Sequence, residues 1–129
     1  MKLLLDTHVL LWADTAPDEL GTQARDMIED GTQEVLVSVV SAWEIAIKQS
    51  LGKLELPSAA EKWLPVVLRR SGFDLAELGL AAALKVRALP WHHRDPFDRL
   101  LVAQALESGY TLVTRDEVLA TYGVQILKA

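Results

Sequence analysis

Short apolar or β-branched runs alternate with helical segments along the whole chain, and this alternation restricts the fold more than any other feature. Runs at 2–6, 34–38, 73–78, 111–114 and 124–127 have the length of strands. The first, Lys-Leu-Leu-Leu-Asp, has no polar alternation within it, which fits a strand buried on both faces. Helical patterns fill the gaps at 9–13, 22–30, 40–51, 58–70, 80–89 and 95–109. Their ends are punctuated in the expected way. Thr22 is a candidate N-cap, and Gly31, Gly52, Gly72 and Gly109 each follow the last helical residue. Ser58-Ala-Ala-Glu61 has the spacing of a capping box, Pro90 stops the helix before it, and Asp95-Pro96 reads as an N-cap followed by proline at the first helical position. Strands alternating with helices imply βαβ units, hence an α/β fold with a mostly parallel central sheet and helices on both faces. Residues 1–129 read as a single domain, with no repeat, low-complexity tract or flexible linker.

Composition removes several classes of function. There is no cysteine, so disulfides, zinc-thiolate sites and a cysteine nucleophile are excluded, and a reducing cytoplasm is the expected location. Asp6 cuts the N-terminal leucine run too early for a signal peptide, and no apolar stretch approaches a bilayer-spanning length. The formal net charge of −5 argues at first against a polyanionic ligand. Four acids engaged with cations would bring the remainder close to neutral, so charge leaves the substrate open.

The acids themselves are placed informatively. Asp6 ends the first strand and Asp116 lies just past the strand at 111–114, so both project at the carboxyl edge of the sheet, where ligands of parallel sheets bind. Glu44 lies near the start of the helix after the second strand, and Asp98 in the first turn of the helix that begins near Asp95. Helix beginnings lie at that same edge, so the four carboxylates can converge. Unpaired carboxylates at one spot repel and raise one another's pKa, so the arrangement calls for a cation. Hard oxygen ligands select Mg²⁺ or Mn²⁺, and such a site suits phosphodiester hydrolysis by an activated water. Structural readings stand beside the functional one. Glu44 three residues after Ser41 also fits a capping box, Asp98 favours its helix dipole, Asp116 fits a loop acid, and Asp95 is the N-cap.

These residues resemble the PIN-domain ribonucleases, and within them the VapC toxins of type II toxin–antitoxin pairs. The resemblance spans essentially the whole chain. It rests on Leu-Leu-Leu-Asp6-Thr-His, Val-Ser-Val-Val-Ser-Ala-Trp-Glu44-Ile-Ala, Asp95-Pro-Phe-Asp98-Arg-Leu-Leu-Val-Ala-Gln-Ala and Thr-Leu-Val-Thr114-Arg-Asp116, in that order. It implies a Mg²⁺- or Mn²⁺-dependent endoribonuclease with Asp6, Glu44, Asp98 and Asp116 as the catalytic, metal-binding acids. It also implies a homodimer inhibited by a VapB-like antitoxin that inserts a segment into the active-site groove. The chain departs from the family in carrying His8 where many members have Asn or Ser, and in a less basic groove. Arg94, Arg99 and Arg115 flank the acids and are the candidates for holding RNA phosphates, with plain surface residues or internal partners of the acids as the other readings. His92 and His93 beside Trp91 fit either base stacking and acid chemistry or a solvated loop. His8 fits a packed residue behind the ligands. Thr7, Ser41 and Thr114 could orient metal waters or simply cap turns, and Trp12, Trp43 and Trp63 are expected in the core unless exposed members form a groove for a partner helix.

Two rival readings are weaker. A phosphotransferase of the haloacid-dehalogenase type needs a second Asp two residues after the first, where His8 stands, and neither a Walker A loop nor a G-x-G-x-x-G turn is present. A catalytically idle module that binds RNA or antitoxin has no physical need for a repulsive carboxylate cluster. A housekeeping PIN nuclease outside any toxin pair would carry the same acids.

Overall fold

The computed structural model describes residues Met1–Ala129. Five strands, β1 (Lys2–Leu5), β2 (Glu34–Ser38), β3 (Asp74–Ala76), β4 (Thr111–Thr114) and β5 (Ile126–Lys128), form one sheet in the order β3-β2-β1-β4-β5. Every pairing is parallel, so the sheet is wholly rather than mostly parallel. Six helices connect the strands: α1 (Thr7–Thr15), α2 (Thr22–Glu29), α3 (Val39–Ser50), α4 (Ala60–Ser71), α5 (Leu80–Lys85) and α6 (Pro96–Ser108).

The leucine run occupies the centre of the sheet because β1 is flanked by β2 and β4 and covered on both faces. Alternate residues serve opposite cores. Leu3 and Leu5 join Val35, Val37 and Val113 against α1, α2 and α4, whereas Leu4 joins Leu36 and Leu112 against α6. Register does the rest of the positioning. Leu5 pairs with Val37 and Val113, so β1, β2 and β4 all run out at one edge of the sheet.

Local chemistry explains most boundaries and corrects several expectations. The first helix is longer than its apolar pattern, beginning at Thr7, because Asp6 itself is the N-cap and accepts from Val9 N at 2.8 Å. The second helix takes Gly21 as its N-cap and Thr22 as its first residue. Ser38, not Ser41, caps α3 by accepting from Val40 N, which removes the Ser41–Glu44 capping-box reading. The box expected at Ser58 is also absent. Gln49 of α3 performs its task, accepting from Ala60 N at 2.8 Å and donating to the Ser58 carbonyl at 3.0 Å. The helix expected over 80–89 is α helical only to Lys85 and tightens into a 3₁₀ turn at Val86–Ala88. Past Asp116, where a plain loop was expected, a 3₁₀ segment Glu117–Tyr122 forms on the Asp116 side chain. The strands expected at 73–78 and 124–127 are shorter or shifted, as β3 and β5.

Candidate metal centre

Four elements deliver the four acids. Asp6 leaves β1, Glu44 lies on α3, Asp98 is the third residue of α6, and Asp116 follows β4. A chain of hydrogen bonds and shared field connects them. Asp6 Oδ2 accepts from the Thr114 hydroxyl, and Thr114 Oγ1 in turn accepts from Asp116 N at 3.1 Å. Glu44 is buried, 3% exposed, with Oε1 accepting from the Thr7 hydroxyl at 2.6 Å and Oε2 paired with the Lys48 ammonium one helical turn on. The Ser41 hydroxyl lies 2.9 Å from that of Thr7. Asp116 Oδ1 accepts from Val118 N at 3.0 Å, and its Oδ2 lies 2.9 Å from His93 Nε2. The same Nε2 is 3.5 Å from Asp98 Oδ2, and one ligand atom from each of His93, Asp98 and Asp116 falls within 4.8 Å of the others.

The electrostatics follow from burial and like charge. Desolvation pushes the Asp98 carboxyl up to about 7, and the neighbouring Asp95, Asp6 and Glu44 carboxylates push the same way, while the His93 ring opposes them. Asp6 is raised as well, first by burial and slightly by Glu44, against the hydrogen bonds from Thr114 and Val9 and the nearby His8. Lys48 is held above the ordinary lysine range by its hydrogen bond to Glu44, against partial burial, with smaller help from Asp95 and Asp98. Asp98 thus senses the charge of Asp6 and Glu44, and Asp6 that of Glu44. An all-oxygen donor set, with Asp6 and Glu44 buried, Asp98 and Asp116 half-buried and Asp98 forced toward its protonated form, fits a hard divalent cation.

The three arginines separate. Arg99 is 2% exposed, and its guanidinium donates to the carbonyls of Val86, Leu89, Pro90 and His93 and to Tyr122 Oη. Its Cζ also lies 3.8 Å from the centroid of Trp91. Arg99 therefore ties down the loop between α5 and α6, with both its terminal nitrogens turned inward and its side chain buried, which corrects the expectation of a phosphate contact there. Arg115 donates to the carbonyls of Glu19 and Ala129 and covers the Trp12 ring at 4.3 Å, with part of its side chain in solvent. It pairs with none of the four acids. Arg94 is exposed and lines, with Trp91, Pro96 and Leu100, a cavity of about 300 Å³.

Other expected residues also resolve. Asp95 caps α6, accepting from Phe97 N at 2.8 Å and Asp98 N at 3.3 Å, which aims Asp98 at the site. Thr7 and Thr114 bond the carboxylates directly. His8 is exposed and tilted against Trp12, and His92 packs on Tyr122. Of the tryptophans expected in the core, Trp63 is buried and Trp12 half-buried, but Trp43 is 56% exposed, edge-on to Phe97 between the helices that carry Glu44 and Asp98. Sequence reasoning passed over Lys48, although its position four residues after Glu44 is the signal for an intrahelical ion pair.

The sequence model of the PIN domain matches residues 3–124. Ribonuclease VapC22 of Mycobacterium tuberculosis (strain ATCC 25618 / H37Rv) is 32% identical over 123 residues, covering 93% of this chain and 91% of that protein. Among solved structures, VapBC2 from Rickettsia felis bound to a DNA fragment from its promoter has a chain that aligns with a TM-score of 0.74 at 14% identity, over 99% of this chain and 98% of that one. DNA-bound VapBC from Salmonella typhimurium aligns at 0.70 with 17% identity, over 99% and 98%. These two share the fold, while the matched family model and the identity to VapC22 carry the kinship: this chain belongs to the PIN-domain family and is a homologue of the VapC-type ribonucleases.

Proposed function

We propose that this chain is a Mg²⁺- or Mn²⁺-dependent endoribonuclease, the toxin of a type II toxin–antitoxin pair, with Asp6, Glu44, Asp98 and Asp116 as the catalytic, metal-holding acids. The observation that carries this reading is geometric: Asp98 and Asp116 bring carboxylate oxygens within 4.8 Å of one another beside Asp6, which Thr114 bridges to Asp116, and burial among acids pushes the Asp98 carboxyl up, an arrangement costly to the fold unless a cation occupies it. When bound, a divalent cation supplies a water of lowered pKa and offsets the charge that builds on the phosphorus oxygens. The chain's own residues do the positioning. Thr114 and the Val9 amide fix the Asp6 carboxylate, Thr7 and Lys48 fix Glu44, and the Asp95 cap aims Asp98. Lys48 keeps the ammonium beside the acids that would otherwise repel an incoming phosphodiester. Arg94 is the exposed cation on the loop bordering the site and is assigned to RNA phosphate contact, with a smaller contribution from the exposed part of Arg115.

Relatives of this fold occur in VapBC complexes, and a VapB-like antitoxin is the partner proposed for this chain. Trp43 and Phe97 offer an apolar contact for its segment beside the acids. A homodimer in the cytoplasm completes the proposal, with 1–129 acting as one nuclease domain. No helix is long and apolar enough to cross a membrane.

The test is cleavage of a mixed cellular RNA pool by purified, antitoxin-free protein with Mg²⁺ or Mn²⁺, beside EDTA and the variants Asp6→Asn and Asp98→Asn. Discrete cuts lost in all three controls are expected. Folded protein that binds RNA without cutting it would instead make it an idle binding module, and cuts that survive both substitutions would move the chemistry elsewhere.

A further inference from the structure

His93 is held at four points. Its backbone N–H donates to Tyr122 Oη at 2.9 Å, and its carbonyl accepts from Arg99 Nη1 at 3.4 Å. On the ring, Nδ1 accepts from the Asp95 amide at 3.0 Å, while Nε2 faces Asp116 Oδ2 at 2.9 Å and Asp98 Oδ2 at 3.5 Å. A backbone amide can only donate, so Nδ1 must present its lone pair and the ring proton resides on Nε2. To offer Nε2 to a cation, the ring would have to move that proton to Nδ1, where it would confront the Asp95 N–H. Proximity alone would group His93 with Asp98 and Asp116 as a third ligand. The hydrogen-bond directions oppose this.

Asp116 shows what the imidazole does instead. One carboxylate oxygen takes the Val118 amide and the other takes His93, so the plane of the carboxylate is fixed from both sides and each oxygen keeps a lone pair for a metal. We infer that His93, on the reading that Asp98 and Asp116 hold a divalent cation, is a positioning residue: its Nε2–H orients the Asp116 carboxylate, with Asp98 as a secondary acceptor, and does not itself ligate. Asp95 thereby has two tasks. Its side chain caps α6 and its amide sets the His93 tautomer. Arg99 acts one step further out, by gripping the loop that presents the ring.

The tautomer is read directly from ¹⁵N-histidine NMR of the full chain at one fixed pH, without and with saturating Mg²⁺. The Nε2–H form is expected in both. A switch to Nδ1–H on adding Mg²⁺ would overturn the proposal and make His93 a ligand. Calorimetric Mg²⁺ and Mn²⁺ affinities then weigh the role. His93→Phe is expected to weaken binding about tenfold, at the low end of the effect of losing such an outer hydrogen bond, and His93→Gln, which keeps an N–H donor, to recover most of it. Wild-type affinity in His93→Phe would overturn the positioning role while leaving the metal centre intact. A wild-type protein that binds neither cation would instead overturn the metal centre itself, together with this role.

Discussion

A carboxyl that holds its proton to about pH 7 makes both stability and metal affinity depend on pH, in opposite ways. The folded-state pKa of Asp98 lies above its unfolded value of 3.8, so between those two values the folded chain binds the extra proton. Metal-free protein is therefore expected to lose stability as pH rises from about 4 through about 7, by on the order of 2–4 kcal/mol from this group. Thermal melts in EDTA across that window check it. Asp98→Asn should flatten the dependence and raise the melting temperature at pH 8, on the order of 5 °C. Conversely, cation binding must expel that proton, so Mn²⁺ affinity should fall up to about tenfold per pH unit below 7. An affinity independent of pH between 5 and 7 would show that Asp98 is not a ligand. The places of Asp6, Asp98 and Asp116 were legible in the sequence because each marks a strand end or a helix start, positions that a parallel sheet gathers at one edge, whereas Glu44 lies in the second turn of α3. The fate of the arginines was not. Whether Arg99 turns outward to a phosphate or inward to four carbonyls depends on a loop path that periodicity does not encode.

At the scale of elements, the segment between α5 and α6 is held by a guanidinium as well as by the buried Leu89. Arg99→Met would leave the carbonyls of Leu89 and Pro90 without their donor and remove one of two from Val86, at a cost of about 3 kcal/mol. Arg99→Lys should recover little of it, since an ammonium cannot reproduce the planar fork or lie flat on Trp91. Chemical denaturation gives the loss, and hydrogen exchange at 89–95 shows whether it is local. Unchanged exchange there would mean the loop is held otherwise. Here the sequence was readable where one short segment decides the outcome. Asp95-Pro96 starts α6 as its cap chemistry requires. It misled where a distant side chain intervenes. Gln49 caps α4 from the end of α3, eleven residues away from the amide it serves, and no local pattern around Ser58 could reveal that.

For the whole molecule, helix and strand alternation disclosed the α/β class and the parallel pairing, but not the order β3-β2-β1-β4-β5, because apolar strands of similar length are interchangeable on pattern alone. The structure also leaves Leu80 and Leu84 of α5 at 75% and 65% exposure, one turn apart on a helix otherwise packed on α6. An exposed apolar stripe of this kind is the surface that a contact between copies would cover in the proposed homodimer. Leu80→Glu with Leu84→Glu should shift the sedimentation of the purified chain from dimer to monomer with its melting temperature little changed, and a persisting dimer would place the contact on another face. The bond from Thr114 to Asp6 joins residues 108 positions apart, across a sheet in which β4 lies directly beside β1. On a ribosome, Asp6 emerges first and waits for its partner strand. A nascent or prematurely terminated chain lacking residues 111–116 has only β2 beside β1 and lacks the fourth acid. On the proposed activity, the chain is no nuclease until residues 111–116 have been made, and a fragment stalled before them is harmless to the transcripts around it.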